Sequence, residues 1–217
     1  MKKGLTELVF ILDKSGSMGG LEKDTIGGFN AMLEKQQLVE GECRITTVLF
    51  SDKTRLLHDR ADIRAVLPIT ANEYSVGGNT ALLDAMGAAI HKTVNALAQT
   101  GEAYRPEKVM FVIITDGEEN ASREYGAEQV KQMIEGQKSG SGWEFIFLGA
   151  NIDAVKTAGR FGIDQNRAQN FHADQRGVSK SYESMASAVT SMRTSGSVAD
   201  DWGKATEEDF GERNRGR

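Results

Sequence analysis

The alternation of buried-strand and amphipathic-helix patterns along this 217-residue chain predicts a doubly wound α/β fold, a mostly parallel sheet with helices on both faces. Three observations lead there. First, three short apolar runs, Leu8–Leu12, Val109–Ile114 and Phe145–Leu148, are rich in β-branched and aromatic residues and end in polar or glycine punctuation. Runs of that length without alternation mark strands covered on both faces. Second, the stretches between them carry apolar residues every three or four positions, the spacing of a helix with one buried stripe. Third, 39% hydrophobic and 26% charged residues are near globular averages, and the length suffices for one large domain to bury its own core without disulfides or a structural metal.

The first strand, Leu8–Leu12, is followed by a helix over Leu21–Leu38, with Ile26, Phe29, Met32 and Leu33 on its apolar stripe. Arg44–Phe50 reads as a strand and Ser51-Asp52-Lys53 as a tight turn into Thr54–His58, an antiparallel hairpin whose polarity suits a sheet edge. The most regular helical stripe (Leu82/Leu83, Met86, Ala89/Ile90, Val94, Leu97) defines a helix over Leu82–Gln99. After the second buried strand, Val130, Met133 and Ile134 mark a helix over Ala127–Gln137, and Trp143 packs where the next strand begins. Arg167–His172 is a weakly marked last strand before a helix over Ser181–Met192. With a helix between the last two strands, the expected order is β α β β α β α β α β α. Past about Ser195 the pattern lapses into Gly, Ser and charges of both signs. The domain is therefore expected over residues 1–196, with 197–217 as a polar C-terminal tail, either disordered or a partner-binding extension. Trp202, an aromatic in that tail, hints at docking onto the domain or onto a partner.

Composition removes several function classes. A formal charge of −5 gives no overall attraction to nucleic acid or anionic membranes. One cysteine, Cys43, makes no intramolecular disulfide, and three histidines with one cysteine do not build a Cys-rich zinc site. The apolar run after the basic start is too short for a signal peptide, and no run of about 18 apolar residues offers a transmembrane helix. The expected compartment is the cytoplasm.

Three short segments fall where a doubly wound sheet gathers ligands, at the carboxyl ends of its strands. Asp13-Lys14-Ser15-Gly16-Ser17 follows the first strand, and in an extended turn Asp13, Ser15 and Ser17 present oxygens to one side. Taken alone it reads equally as a helix cap. Gly77-Gly78-Asn79-Thr80 precedes the long helix and alone reads as a flexible loop ending in a threonine N-cap. Thr115-Asp116-Gly117 follows the second buried strand, where Asp116 alone could be a turn residue. Their joint occurrence in this order is the informative observation.

These residues resemble the von Willebrand factor A family, whose metal-ion-dependent adhesion site (MIDAS) combines Asp-x-Ser-x-Ser with a threonine from a second loop and an aspartate from a third. All the positions are filled here by Asp13, Ser15, Ser17, Thr80 and Asp116. The resemblance covers about residues 5 to 195. It implies a Rossmann-like six-stranded sheet in the order 3-2-1-4-5-6 with one antiparallel edge strand. It also implies a Mg²⁺ site in which Ser15 and Ser17 ligate directly, Thr80 directly or through water, and Asp13 and Asp116 orient bound waters. Mn²⁺ is expected to substitute, whereas Ca²⁺ is larger and prefers more ligands. An open metal position would take an Asp or Glu from a partner protein, and with no leader visible the chain looks like the intracellular bacterial or phage type, which often act as adaptors.

Two other functions stay open at this level. A metal-dependent hydrolase or phosphoryl-transfer enzyme could use the ion to polarise phosphate or water. Against it, the chain has no phosphate loop, nucleophile elbow or dinucleotide fingerprint, and a serine, Ser15, stands where an aspartyl phosphatase would carry its second carboxylate. A scaffold with a structural metal and partner contacts elsewhere is the second alternative. Glu118-Glu119-Asn120 are expected to be solvated loop residues, and His58, His91 and His172 to be structural or superficial.

Overall fold

Strand β1 (Lys2–Asp13) is apolar on both sides, and the chain folds around it. In the computed structural model, which describes residues 1–215, Leu8, Phe10 and Leu12 face one layer of helices while Val9 and Ile11 face the other. β1 pairs in parallel with β2 (Glu42–Phe50) and with β4 (Pro106–Thr115). β5 (Glu144–Ala150) and β6 (Ala168–Phe171) continue the parallel sheet, and β3 (Thr54–Asp62) closes the far edge antiparallel to β2. The order β3-β2-β1-β4-β5-β6 is the expected one.

Each face acquires its own core. Helices α1 (Glu22–Gln37) and α5 (Gln175–Ser195) cover Leu8, Phe10 and Leu12 with Phe29, Met32, Leu33, Tyr182, Met185 and Val189. Helices α2 (Leu82–Ala98), α3 (Ala127–Ser141) and α4 (Ala154–Arg160) cover the opposite face, where Trp143 stacks on Phe111 at 5.5 Å. Arg193 ties α5 to the end of α1: its buried guanidinium donates to the carbonyls of Gln36 in the last turn of the helix and of Val39 (3.0 Å) and Gly41 (3.2 Å) in the turn that follows. Among the described residues no helix is long and apolar enough to cross a membrane.

Two elements outrun their apolar signal because polar groups extend them, β3 through tertiary contacts and α5 through a local cap. β3 continues to Asp62 through a bulge at Arg60 (φ 47°), whose N–H donates to Thr46 Oγ1 at 3.1 Å and whose guanidinium grips the buried Glu7 at 3.0 Å. α5 starts at Gln175, ahead of the apolar stripe, since Asp174 caps it by accepting from the Gly177 N–H at 2.9 Å.

The largest departure from expectation lies past residue 196. Residues 204–215 form a helix, α6 (Lys204–Arg215), packed on α5 and β6. Trp202 is 2% exposed and donates its indole N–H to the Asn166 carbonyl at 2.8 Å, so of its two expected docking surfaces it uses the domain. Phe210 stacks on His172 at 4.7 Å, Thr206 donates to the Lys180 carbonyl at 3.0 Å, and Arg213 pairs with Asp174 and Asp209. Two aromatics, Trp202 and Phe210, and a set of charge pairs fasten a segment that is otherwise polar, which is why no apolar periodicity announces it. Residues 216 and 217 of the expected tail lie outside the described residues.

If the segment is docked in this way, Trp202→Ala destabilises the protein by about 3–5 kcal/mol, the cost of emptying a large aromatic site. A urea midpoint unchanged from wild type would mean that the tail is loose. Arg193→Ala is expected to cost about 2 kcal/mol or more by removing the buried donor to the carbonyls at and after the end of α1, read from the same titration at constant m.

Candidate metal centre

Parallel pairing of β1 with β4 sets Leu12 opposite Ile114, so Asp13 and Thr115-Asp116 emerge side by side at the carboxyl end of the sheet. Asp13 also stands opposite Phe50 of β2, which brings Ser51 to the same edge. Three loops close over this edge: residues 14–20 after β1, 75–81 before α2, and 116–126 after β4. Backbone bonds lace the first two together, from the Gly77 N–H to the Lys14 carbonyl and from the Gly16 N–H to the Gly78 carbonyl, both at 2.9 Å. At that crossing Gly78 has φ +83°, and a Cβ would stand 2.0 Å from Asp52 Oδ2, so any other residue there is strained and must displace the Asp52 carboxylate.

The structure brings together all five oxygen-bearing residues singled out in the sequence, and each has a distinct hydrogen-bond state. Asp13 is fully engaged, Oδ1 accepting from the Ser15 N–H at 2.7 Å and Oδ2 from the Thr115 hydroxyl at 2.6 Å. The hydroxyls of Ser15 and Ser17 lie 3.0 Å apart, and Ser17 donates to Asp116 Oδ1 at 2.6 Å. The second Asp116 oxygen, Oδ2, is buried and has no hydrogen-bond partner among the described residues. Gly117 makes room for the cluster: a Cβ there would stand 3.1 Å from Ser17 Oγ and 3.5 Å from Thr80 Oγ1.

Two carboxylates thus share a buried edge, and among the described residues neither pairs with a lysine or arginine. Burial pushes the Asp116 carboxyl up to about 6, with the Ser17 hydrogen bond opposing and the Asp13 charge adding to the rise. Burial raises Asp13 as well, against the hydrogen bonds from Ser15 and Thr115. Two desolvated carboxylates, one of them with an unpartnered oxygen, and three hydroxyls are hard-oxygen donors of the kind Mg²⁺ and Mn²⁺ take. No three His, Cys, Asp or Glu side chains converge among the described residues, so a cation here leans on hydroxyls rather than on a cage of carboxylates or imidazoles. Ser17 and Gly16 are exposed, which opens the cluster to solvent on its outer side.

Other residues at this edge carry no local sequence signal. Tyr74 reaches in from the position just before the second loop and donates its hydroxyl to the Asp13 carbonyl at 2.6 Å. Asn151, left-handed at φ 56° just past β5, donates its side-chain amide to the Asp116 carbonyl at 3.3 Å. Of the residues expected to be solvated, Glu118 is exposed, but Glu119 and Asn120 are bonded to the start of α2. Thr80, which alone reads as the cap of that helix, is not: Ala81 occupies the N-cap position and Thr80 sits buried beside Gly117. His58 bonds Thr47 at 3.0 Å and His172 stacks on Phe210, both outside the cluster, while His91 is exposed.

A sequence model of the von Willebrand factor type A domain matches residues 7–177. No curated protein is similar enough in sequence to stand as a relative. Among solved structures, proximal thread matrix protein 1 from the mussel byssus, with a zinc-occupied MIDAS motif, superposes with a TM-score of 0.59 at 16% identity, over 86% of this chain and 46% of that one. A von Willebrand factor type A protein from Catenulispora acidiphila gives 0.57 at 15% identity, over 85% and 42%. Manganese-loaded TRAP protein from Plasmodium vivax gives 0.54 at 18% identity, over 75% and 62%. The chain thus spans between 42% and 62% of the length of these neighbours, and at such identities the likeness concerns the fold.

In chelator, the Asp116 carboxyl is expected to titrate near pH 6, followed by the chemical shift of its carboxyl carbon. Because its folded pKa lies above the unfolded value of about 3.9, the native state binds the extra proton between the two. This group's contribution to the metal-free protein therefore makes it more stable as pH falls from 7 through 6. An Asp116 midpoint near 4 would show that the pocket is wetter than the structure has it.

Proposed function

The chain belongs to the von Willebrand factor type A domain family, and from that premise we propose that it is a metal-dependent protein-binding module, not an enzyme, which captures an acidic residue of a partner protein. The observation that carries this reading is the buried, unpartnered Asp116 Oδ2 among the hydroxyls of Ser15, Ser17 and Thr80. The zinc in the MIDAS motif of one structural neighbour supports a divalent ion at this edge, and the manganese carried by another supports a divalent ion in this fold. We assign Mg²⁺ as the resident ion, with Mn²⁺ as a substitute and Ca²⁺ disfavoured by its demand for more ligands.

Ser15, Ser17 and Thr80 would hold the ion through neutral oxygens. Asp13, with both oxygens taken, fixes the Ser15 backbone and Thr115 and contributes charge from behind, while Asp116 offers its free oxygen. When bound, the divalent cation supplies an electrophilic position for an incoming Asp or Glu carboxylate. Because the holding groups are largely hydroxyls, little of that positive character is cancelled, and an acidic partner can be recruited by a chain whose own charge is −5. The same net charge supports a protein partner over nucleic acid or an anionic membrane. The module is proposed to occupy residues 1–196, with α6 appended, and to work in the cytoplasm as an intracellular adaptor.

The test is a capture experiment from native extract with Mg²⁺, with EDTA, and with Ser17→Ala. Partners are expected to be held in Mg²⁺ or Mn²⁺, released by EDTA, and retained poorly by the variant, whose Mn²⁺ affinity should fall at least about tenfold. Identical partner profiles in all arms would overturn the reading.

A further inference from the structure

Helix α2 begins without a local cap. Its first N–H groups need acceptors, and Ala81 at the N-cap position has no side-chain oxygen to offer. The acceptors come instead from the loop after Asp116. The Leu83 N–H donates to Glu119 Oε2 at 2.8 Å and the Asp84 N–H to Ser122 Oγ at 3.0 Å. Asp84 reciprocates by accepting from the N–H groups of Arg123, Glu124 and Tyr125, each at 2.9 Å. Asn120 closes the bracket at Thr80 itself: its Oδ1 accepts from the Thr80 N–H at 2.9 Å, and its own N–H donates to the Thr80 carbonyl at 3.1 Å. With capping supplied from elsewhere, the Thr80 hydroxyl stays beside Ser17 and Gly117.

We propose that Asn120, backed by Glu119, is a positioning residue for the metal site, which binds Thr80 to the loop bearing Asp116 so that cation affinity depends on it. The inference rests on the metal-binding reading above. Glu119 anchors the loop by accepting from the Ala121 and Ser122 N–H groups at 2.9 and 2.7 Å while it caps α2, so the loop and the helix start move as one piece. Asn120 is exposed, and its truncation removes the Thr80 acceptor without opening the core.

The experiment is Mn²⁺ binding to the full chain, followed by the electron paramagnetic resonance signal of free Mn²⁺, with apo-protein melting in EDTA as the control for folding. Asn120→Ala is expected to weaken Mn²⁺ binding about tenfold, and Asn120→Asp, whose carboxylate still accepts from the Thr80 N–H, to restore it. In a Thr80→Ala background, Asn120→Ala should add no further loss, because its route to the metal is gone. Wild-type Mn²⁺ binding with no loss in Asn120→Ala, or with the same loss in both backgrounds, overturns the positioning role and leaves the site standing. Failure of the wild type to bind Mn²⁺ overturns both.

Discussion

Asp13 and Asp116 stand at the carboxyl ends of adjacent parallel strands, both withdrawn from water, and like charges in such a place repel. Much of the surrounding architecture manages that repulsion. The Thr115 hydroxyl and the Ser15 amide occupy Asp13, and Ser17 takes one oxygen of Asp116. The last oxygen is left over. The sheet order makes the juxtaposition unavoidable, because β1 and β4 are neighbours at the point where the connections change direction, and loops leave that point with a crevice between them. A proton on Asp116, or an ion of opposite sign, relieves what remains of the repulsion.

The layers above and below serve that edge. β1 is held from both faces by independent cores, so its carboxyl end is fixed against sliding and tilting. Tyr74 braces the Asp13 backbone from beneath, and Asn151 braces that of Asp116 from the neighbouring strand. Rigid strands thus set the positions of the two acids, and loops tied to each other bring the hydroxyls to them.

The buried strands were legible in the sequence because each is an unbroken apolar run, and Asp13, Ser15 and Ser17 stood out by their spacing of two behind the first of them, whereas Thr80 and Asp116 were ambiguous alone and drew notice only through their joint order with that motif. What was not legible depends on pairing across the chain. Glu119 and Asn120 look like any solvated acid and amide until the backbone N–H groups of Leu83 and Thr80, far off in sequence, are set against them. Arg60 and Glu7 extend a strand through a charge pair that no periodicity encodes. α6 is invisible for the same reason, as Trp202, Phe210 and Arg213 find their partners Asn166, His172 and Asp174 in the segments flanking β6. Local signals mark where elements start; tertiary hydrogen bonds decide how far they run.

The direction of β1 carries one more consequence. Its twelve residues run from Lys2 to Asp13, which at roughly 3.3 Å per residue is about 40 Å. Met1 is 72% exposed at the amino end, and the clustered loops lie at the other. Anything joined to residue 1, whether a surface, a reporter or a second domain, is held a full sheet-length from the carboxylates and on their far side. The direction of β1 thus makes a molecule immobilised through its first residue present the loop edge away from the support.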